Sequence, residues 1–128
     1  MRRDDPLARL DTVHPKSLAG RAIIGITGDH LVDRQLDALL AETNTVVARN
    51  TSAYYFAIVR NLVAAGDQVA ILDPINGKAD LKDNVVWRPF SPRIENQLAV
   101  ITAKGQAQGR ATVEMQGLIR EGLKEYDH

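Results

Sequence analysis

Asn50-Thr51-Ser52 holds the densest polar chemistry of the chain, an amide and two hydroxyls in a row ahead of an apolar helical run. Side-chain oxygens of these types accept from the first N–H groups of a helix, whose N-terminus carries partial positive charge. Two readings follow. Either one residue caps the helix and the others meet solvent, or the helix start holds an anionic ligand group such as a carboxylate. Gly25-Ile26-Thr27-Gly28-Asp29-His30 places two glycines after an apolar run, but the spacing is not GxGxxG and implies no phosphate loop. Thr27 and Gly28 read as a tight turn, with ligand contact as the second reading. Asp29-His30 lacks an accompanying nucleophile, and adjacent loop residues diverge. His14, His30 and His128 show no His-x-x-x-His or Glu-x-x-His spacing, so no metal site is expected. Asp73-Pro74 reads as a turn, because proline fixes φ and ends a strand. Trp87 and Tyr54-Tyr55 offer faces for ligand stacking or for packing. Arg49 and Arg88 fit structural ion pairs or a ligand carboxylate. The absence of a nucleophile–base–orienter set argues against a small α/β enzyme.

Periodicity supplies the elements that must position these residues. Ala22–Ile26 is continuously apolar, as in a strand buried on both faces of a parallel sheet. Leu31–Glu42 predicts a helix with Val32, Leu36, Leu39 and Leu40 on one face and Asp33, Arg34 and Asp37 off it. Thr45–Ala48 is β-branched enough for a second strand. Ser52–Ala65 predicts a second helix, on which Tyr55, Ile58, Val59 and Leu62 recur at helical spacing and Gly66 suits the C′ position. Val69–Leu72 reads as a third strand. Val85–Arg88 and Leu98–Ala103 read as two more, separated by the loop Pro89–Pro92. Gln106–Tyr126 predicts a long helix with Ala111, Met115, Leu118, Ile119, Gly122 and Leu123 on one stripe. The alternation gives an α/β fold with an open, mostly parallel sheet flanked by helices. Such sheets bind ligands outside the carboxyl ends of their strands, which gathers Thr27-Gly28, Asn50-Thr51-Ser52 and Asp73-Pro74 at one mouth.

Leu62–Phe90, LVAAGDQVAILDPINGKADLKDNVVWRPF, resembles the effector-binding domain of LysR-type transcriptional regulators. That family commonly carries a helix, a V-x-x-G-x-G-v-A-i-x-(D)-P strand and then a V-V-x-R-P-F strand. Asp5–Ile24 is similar to the family's connector, H-P-L-A-x-x-x-x-V-x-x-x-D-L-A-G-x-P-L-I, and Leu98–Ala103 with the helix after it is similar to its C-terminal end. The resemblance therefore spans nearly the whole chain as weak motifs in the right order. Three positions depart from the pattern: Asp67 stands at a frequent second glycine, Asp5 at the usual His and Ser17 at the usual Asp.

The resemblance implies one lobe of a periplasmic-binding-protein-like effector domain. A connector would run over 1–20, the second effector lobe over 21–97, and a C-terminal strand and helix over 98–128 towards a first lobe. It also implies a small-molecule effector in the cleft at this edge, amino-acid-like or another carboxylate. That favours the ligand reading for Thr27, Gly28, Asn50, Thr51, Ser52, Asp73 and Pro74. The Leu62–Pro74 pattern most resembles regulators that respond to amino acids or opine-type compounds. Effector domains of the family pair side by side, so a homodimer is expected, through Leu36, Leu39 and Leu40 or through exchange of the C-terminal segment. No cofactor is implied, and DNA would be bound only by a winged helix-turn-helix outside this chain.

Composition agrees with that division of labour. Sixteen basic and sixteen acidic residues cancel, leaving no basic footprint for nucleic acid. The lack of cysteine excludes disulfides and thiolate metal sites and fits a reducing cytoplasm. No apolar run is long enough to span a bilayer, and no secretory h-region follows the N-terminal charges. A chain of 128 residues suits one domain of ordinary size. The expected function is inducer sensing in a LysR-type regulator through ligand-dependent rearrangement of its oligomer. The alternative is a stand-alone solute-binding lobe related to periplasmic binding proteins.

Overall fold

The computed structural model describes every residue except Asp29, Asp80, Leu81, Gln106, Asp127 and His128. The expectations for Asp29, for His128 and for the first residue of the C-terminal helix thus lie outside the described residues. Two compact units result, Met1–Asn96 and Gln97–His128.

Unit 1 is built around β1 (Ala22–Ile26), flanked in parallel by β2 (Ala48–Ala53) and β3 (Val69–Ala70) in the order β2-β1-β3. Helix α1 (Leu31–Glu42) joins β1 to β2, and α2 (Phe56–Ala65) joins β2 to β3. The alternation of side chains along β1 separates two cores. Ile23 packs with Leu36 and Leu40 of α1 and with Leu7, Val13, Leu18 and Val69. Ile24 and Ile26, on the other face, pack with Ala53 and with Val59 and Val63 of α2. The sheet therefore lies between two helical layers, which explains why β1 lacks a polar face. Segment 1–20 is part of this body, since Leu7, Val13 and Leu18 belong to the first core. Asp5 holds it in place: its carboxylate caps the 3-10 turn Pro6–Arg9 through the Leu7 N–H and accepts two hydrogen bonds from Arg21. Burial pushes the Asp5 carboxyl up, but the Arg21 hydrogen bonds, the Leu7 amide and the Arg21 charge outweigh it and hold the group below its ordinary value.

Several elements differ from expectation. Thr45 closes the turn after α1 instead of opening a strand, its N–H donating to Leu40 O at 2.8 Å. The second strand accordingly starts at Ala48 and runs through Asn50-Thr51-Ser52 to Ala53, because pairing with β1 continues to Ile26↔Ala53. Helix α2 then begins at Phe56, not Ser52, and its cap residue Tyr55 makes no side-chain hydrogen bond. Its buried residues are Val59, Arg60 and Val63, while Tyr55, Ile58 and Leu62 are exposed. Gly66 ends the helix in extended backbone at φ −122°, not in the left-handed conformation. The third strand stops at Ala70, and Asp73 caps a single turn, α3 (Pro74–Gly77). In β2, Arg49 and Asn50 together stand opposite the single residue Ile23, a bulge between the pairs Ala22↔Ala48 and Ile24↔Thr51.

Val85–Arg88 forms no strand. Val85 bridges Arg2 and Phe90 bridges Val13, each as an isolated pair, while the side chains between them anchor the loop elsewhere. Trp87 lies so close to Gly77 that a Cβ there would meet its Cδ1 at 2.0 Å, so only glycine fits. Arg88 Nε donates to Ala8 O at 3.1 Å. The main tether is Arg60 of α2, only 3% exposed. Its Nη1 donates to Asn76 O and Gly77 O at 3.2 and 3.0 Å, and its Nη2 to Ala79 O at 2.9 Å and to both Asp83 oxygens at 3.0 and 3.2 Å.

Unit 2 contains α4 (Arg110–Leu123) and the 3-10 turn Lys124–Tyr126. No residue of α4 is buried, and Leu98–Ala103 forms no strand. A β-prone segment becomes a strand only beside a partner, and no described residue pairs with this one.

Candidate functional site

The strand order fixes the most favourable place for a ligand. The chain runs outward from β1 to β2, then crosses back over β1 to β3, so the order reverses at β1. In open parallel sheets the crevice beyond the carboxyl ends at this reversal is the binding place. At that edge the Thr27 N–H donates to Ala53 O at 2.9 Å. The Thr27 hydroxyl donates to Ser52 Oγ at 3.0 Å. Ser52 is exposed, and having accepted from Thr27 it keeps its own proton for another acceptor. Gly28 follows at φ +99°, a backbone that turns the chain away from the strand and that a side chain would strain.

The two longer helices of unit 1, α1 and α2, start at the same edge. His30 caps α1, its Nδ1 accepting from the Val32 N–H at 3.3 Å. Its ring meets Phe56, the first residue of α2, edge-on with centroids 5.3 Å apart. Tyr54 and Tyr55, between β2 and α2, are 73% and 68% exposed. Beneath them Asp33 reaches back from α1 to accept the Ile26 N–H at 2.8 Å. Arg49 places Nη1 3.4 Å from the same Asp33 oxygen and Nη2 2.7 Å from Asp37. This is the structural ion-pair reading of Arg49, and Gly25 lies directly under it.

The residues singled out in the sequence therefore separate. Thr27, Gly28 and Ser52 come together at the mouth. Asn50 sits in the bulge of β2, and Thr51 accepts from Gln68 Nε2 at 3.3 Å, paired opposite Ile24 on the α2 face. Neither caps a helix, because the strand continues past them. The Asp73 carboxylate accepts from the Asn76 N–H and Nδ2 at 3.0 and 2.8 Å and so caps α3, with Pro74 in its first turn. Leu36 and Leu40 are 0% and 5% exposed within the first core and cannot face a partner; Leu39 is half-buried. His14 Nδ1 donates to Ser91 O at 3.0 Å. Among the described residues no cluster could hold a metal ion, and no helix is long and apolar enough to cross a membrane.

Sequence reasoning did not single out His30 as a cap, Phe56 as its partner or Arg60 as an anchor. Arg60 carried a readable signal, the single charge of a mostly apolar helix, one step from Val59 and three from Val63. Comparison with curated proteins finds no match. The family described as "LysR substrate binding domain" matches residues 1–124, and the chain accordingly belongs to that family, the effector-sensing and non-enzymatic part of LysR-type transcriptional regulators.

Proposed function

We propose that the strand-end mouth of unit 1 forms one side of the effector site, with Thr27, Gly28 and Ser52 touching the ligand and Asn50, Thr51, Asp73 and Pro74 shaping the edge. The observation that carries this is the Thr27–Ser52 hydroxyl pair at the reversal point of the sheet. Ser52 presents a donor to a carboxylate or carbonyl oxygen, and the exposed Tyr54 and Tyr55 supply apolar faces with polar tips beside it. An amino-acid-like or other small carboxylate suits both features. Effector binding works by closing this edge on a facing lobe, and it shifts the oligomer on DNA only as far as affinity for the two arrangements differs. The oligomer contacts run through residues 97–126, whose Leu98, Val100, Ile101, Leu118 and Ile119 are exposed, and not through Leu36 and Leu40. The 1–20 segment serves as the connector between lobes and the protein works in the cytoplasm.

The test uses a protein carrying both lobes. A thermal-shift screen of amino acids and aromatic acids identifies the effector, because a ligand of the folded state raises the midpoint. Calorimetric titration of Ser52→Ala then shows affinity weakened by about 1.5–3 kcal/mol, the value of a hydrogen bond to a charged group, with the denaturant midpoint nearly unchanged. An unchanged dissociation constant would remove Ser52 from the site.

A further inference from the structure

A cavity of about 280 Å³ opens on unit 1 apart from the strand-end mouth, between the start of the chain, α2 and the loop after α3. The described residues lining it include Arg3, Arg60, Lys78, Asp83, Val85 and Trp87. Among these described residues Asp83 is the one carboxylate, and it already accepts from Arg60 and from the Val85 N–H. Two donors at its wall have no partner among the described residues, the Arg3 guanidinium, which is exposed, and the Trp87 indole N–H. Arg60 is 97% buried by its 3% exposure, and its Nε likewise lacks an acceptor there. The apolar part of the wall is Val85 and the indole, over which Lys78 Nζ lies 4.9 Å from the ring centroid. The wall is not free to collapse, because Trp87 is seated on Gly77 and Arg60 anchors the loop at four groups.

Unused donors, one of them the exposed Arg3 guanidinium, and a flat apolar wall call for a ligand with acceptor oxygens at one end and a flat apolar body. We infer that this cavity is a second small-molecule site, selective for a small aromatic carboxylate, separate from the mouth and independent of the role proposed for the mouth. Its volume lies below the roughly 300–1,000 Å³ of drug-sized pockets, so a single-ring acid is the size it takes. The carboxylate pairs with Arg3 and the indole N–H, and the ring lies against Val85 and the indole edge. The site is built from segments distant in sequence, with Arg3 at one end and Trp87 at the other, so occupancy also ties the start of the chain to the loop after α3.

Trp87 is the only tryptophan of the chain, so its fluorescence reports on this cavity and not on the mouth. Titrating the full chain with sodium benzoate, and in parallel with uncharged benzamide, is expected to give a saturable change with benzoate. Benzamide should bind about tenfold to a hundredfold more weakly, the range for losing the interaction of a charged group. Arg3→Ala, at an exposed position that leaves the fold intact, should bring benzoate to the benzamide level. A linear, non-saturating response with benzoate, equal binding of the two probes, or an Arg3→Ala variant that binds benzoate like the parent would each overturn the assignment. A variant of Ser52 plays no part in this experiment, so loss of the mouth reading and loss of this one are read separately.

Discussion

Replacing Arg60 by methionine is the sharpest probe of how unit 1 holds α3 and the loop after it. The guanidinium joins α2 to three backbone carbonyls and to Asp83, all between residues 76 and 83. Methionine has a similar volume and leaves no large void, so the loss is electrostatic and not a packing loss. Each stranded buried carbonyl costs about 1–3 kcal/mol unless water reaches it, and breaking a buried ion pair from one side costs about 3–5 kcal/mol. These figures overlap and cannot be summed, because the cavity beside Arg60 admits water and the Asp83 side chain is 24% exposed. A total of about 3–5 kcal/mol is the expected destabilisation, a large share of the roughly 5–15 kcal/mol of an ordinary domain. Arg60→Lys keeps the charge but offers its donors from one atom, where Nη1 and Nη2 now serve different acceptors, so it should recover only part of the loss. Urea unfolding followed by circular dichroism measures the global change, and Trp87 fluorescence follows the tethered loop. A Trp87 transition that precedes the circular dichroism transition would show the loop detaching first. If Arg60→Met lies within about 1 kcal/mol of the parent in both probes, Arg60 does not hold the loop and the tether has no energetic weight.

Asp5→Asn should lower stability by about 1–3 kcal/mol at neutral pH, between the values for exposed and buried pairs, since the Asp5 side chain is 7% and the Arg21 side chain 26% exposed. Because the folded group titrates below its ordinary value, this contribution is complete above the unfolded carboxyl pKa of about 3.9 and fades as pH falls through the folded one. The gap between parent and variant melts should therefore hold from neutral pH to about pH 5 and close below about pH 4; a gap that stays constant into acid contradicts the ion-pair account. Sedimentation of the chain at tens of micromolar should show self-association, abolished by Ile101→Lys with Leu118→Lys and retained in Leu39→Lys. A monomeric parent, or a dimer lost only on changing Leu39, would place the contact elsewhere.

Legibility in the sequence followed local determination. Ala22–Ile26 and Leu31–Glu42 are observed with the expected bounds, because a run buried on both faces and a strongly periodic helix each specify themselves. Boundaries failed where pairing decided. Asn50-Thr51-Ser52 looks like a helix cap locally, yet the ladder with β1 extends to Ala53 and draws these residues into the strand. Val85–Arg88 has the composition of a strand, but its side chains are committed to Gly77 and Ala8. Thr27 and Gly28 follow β1 as the strand-end rule expects, whereas Ser52, expected at a helix start, lies inside β2 and reaches Thr27 from there. The hydroxyl pair between them and the His30–Phe56 contact join residues 25 or 26 positions apart, for which one sequence carries no local signal. Asp5, a departure from the family's usual His, is explained by its pairing with Arg21. The exposure of Asp67 offers no account of why it stands at a frequent glycine.

The bulge in β2 bears on how copies of this protein can meet. With order β2-β1-β3, one side of β2 is an open edge whose unpaired amides and carbonyls could template a foreign strand. Arg49 and Asn50 opposite Ile23 put that row out of step within its own length, so an incoming chain loses hydrogen-bond phase after a residue or two. Lengthening of the sheet from molecule to molecule is thereby discouraged on the longer of its two margins, and the other margin offers only the two residues Val69–Ala70. Association is left to side chains, which can be selective and reversible, instead of to backbone, which accepts any sequence. Contacts made by side chains, unlike a backbone ladder, can differ between the free and the effector-bound domain.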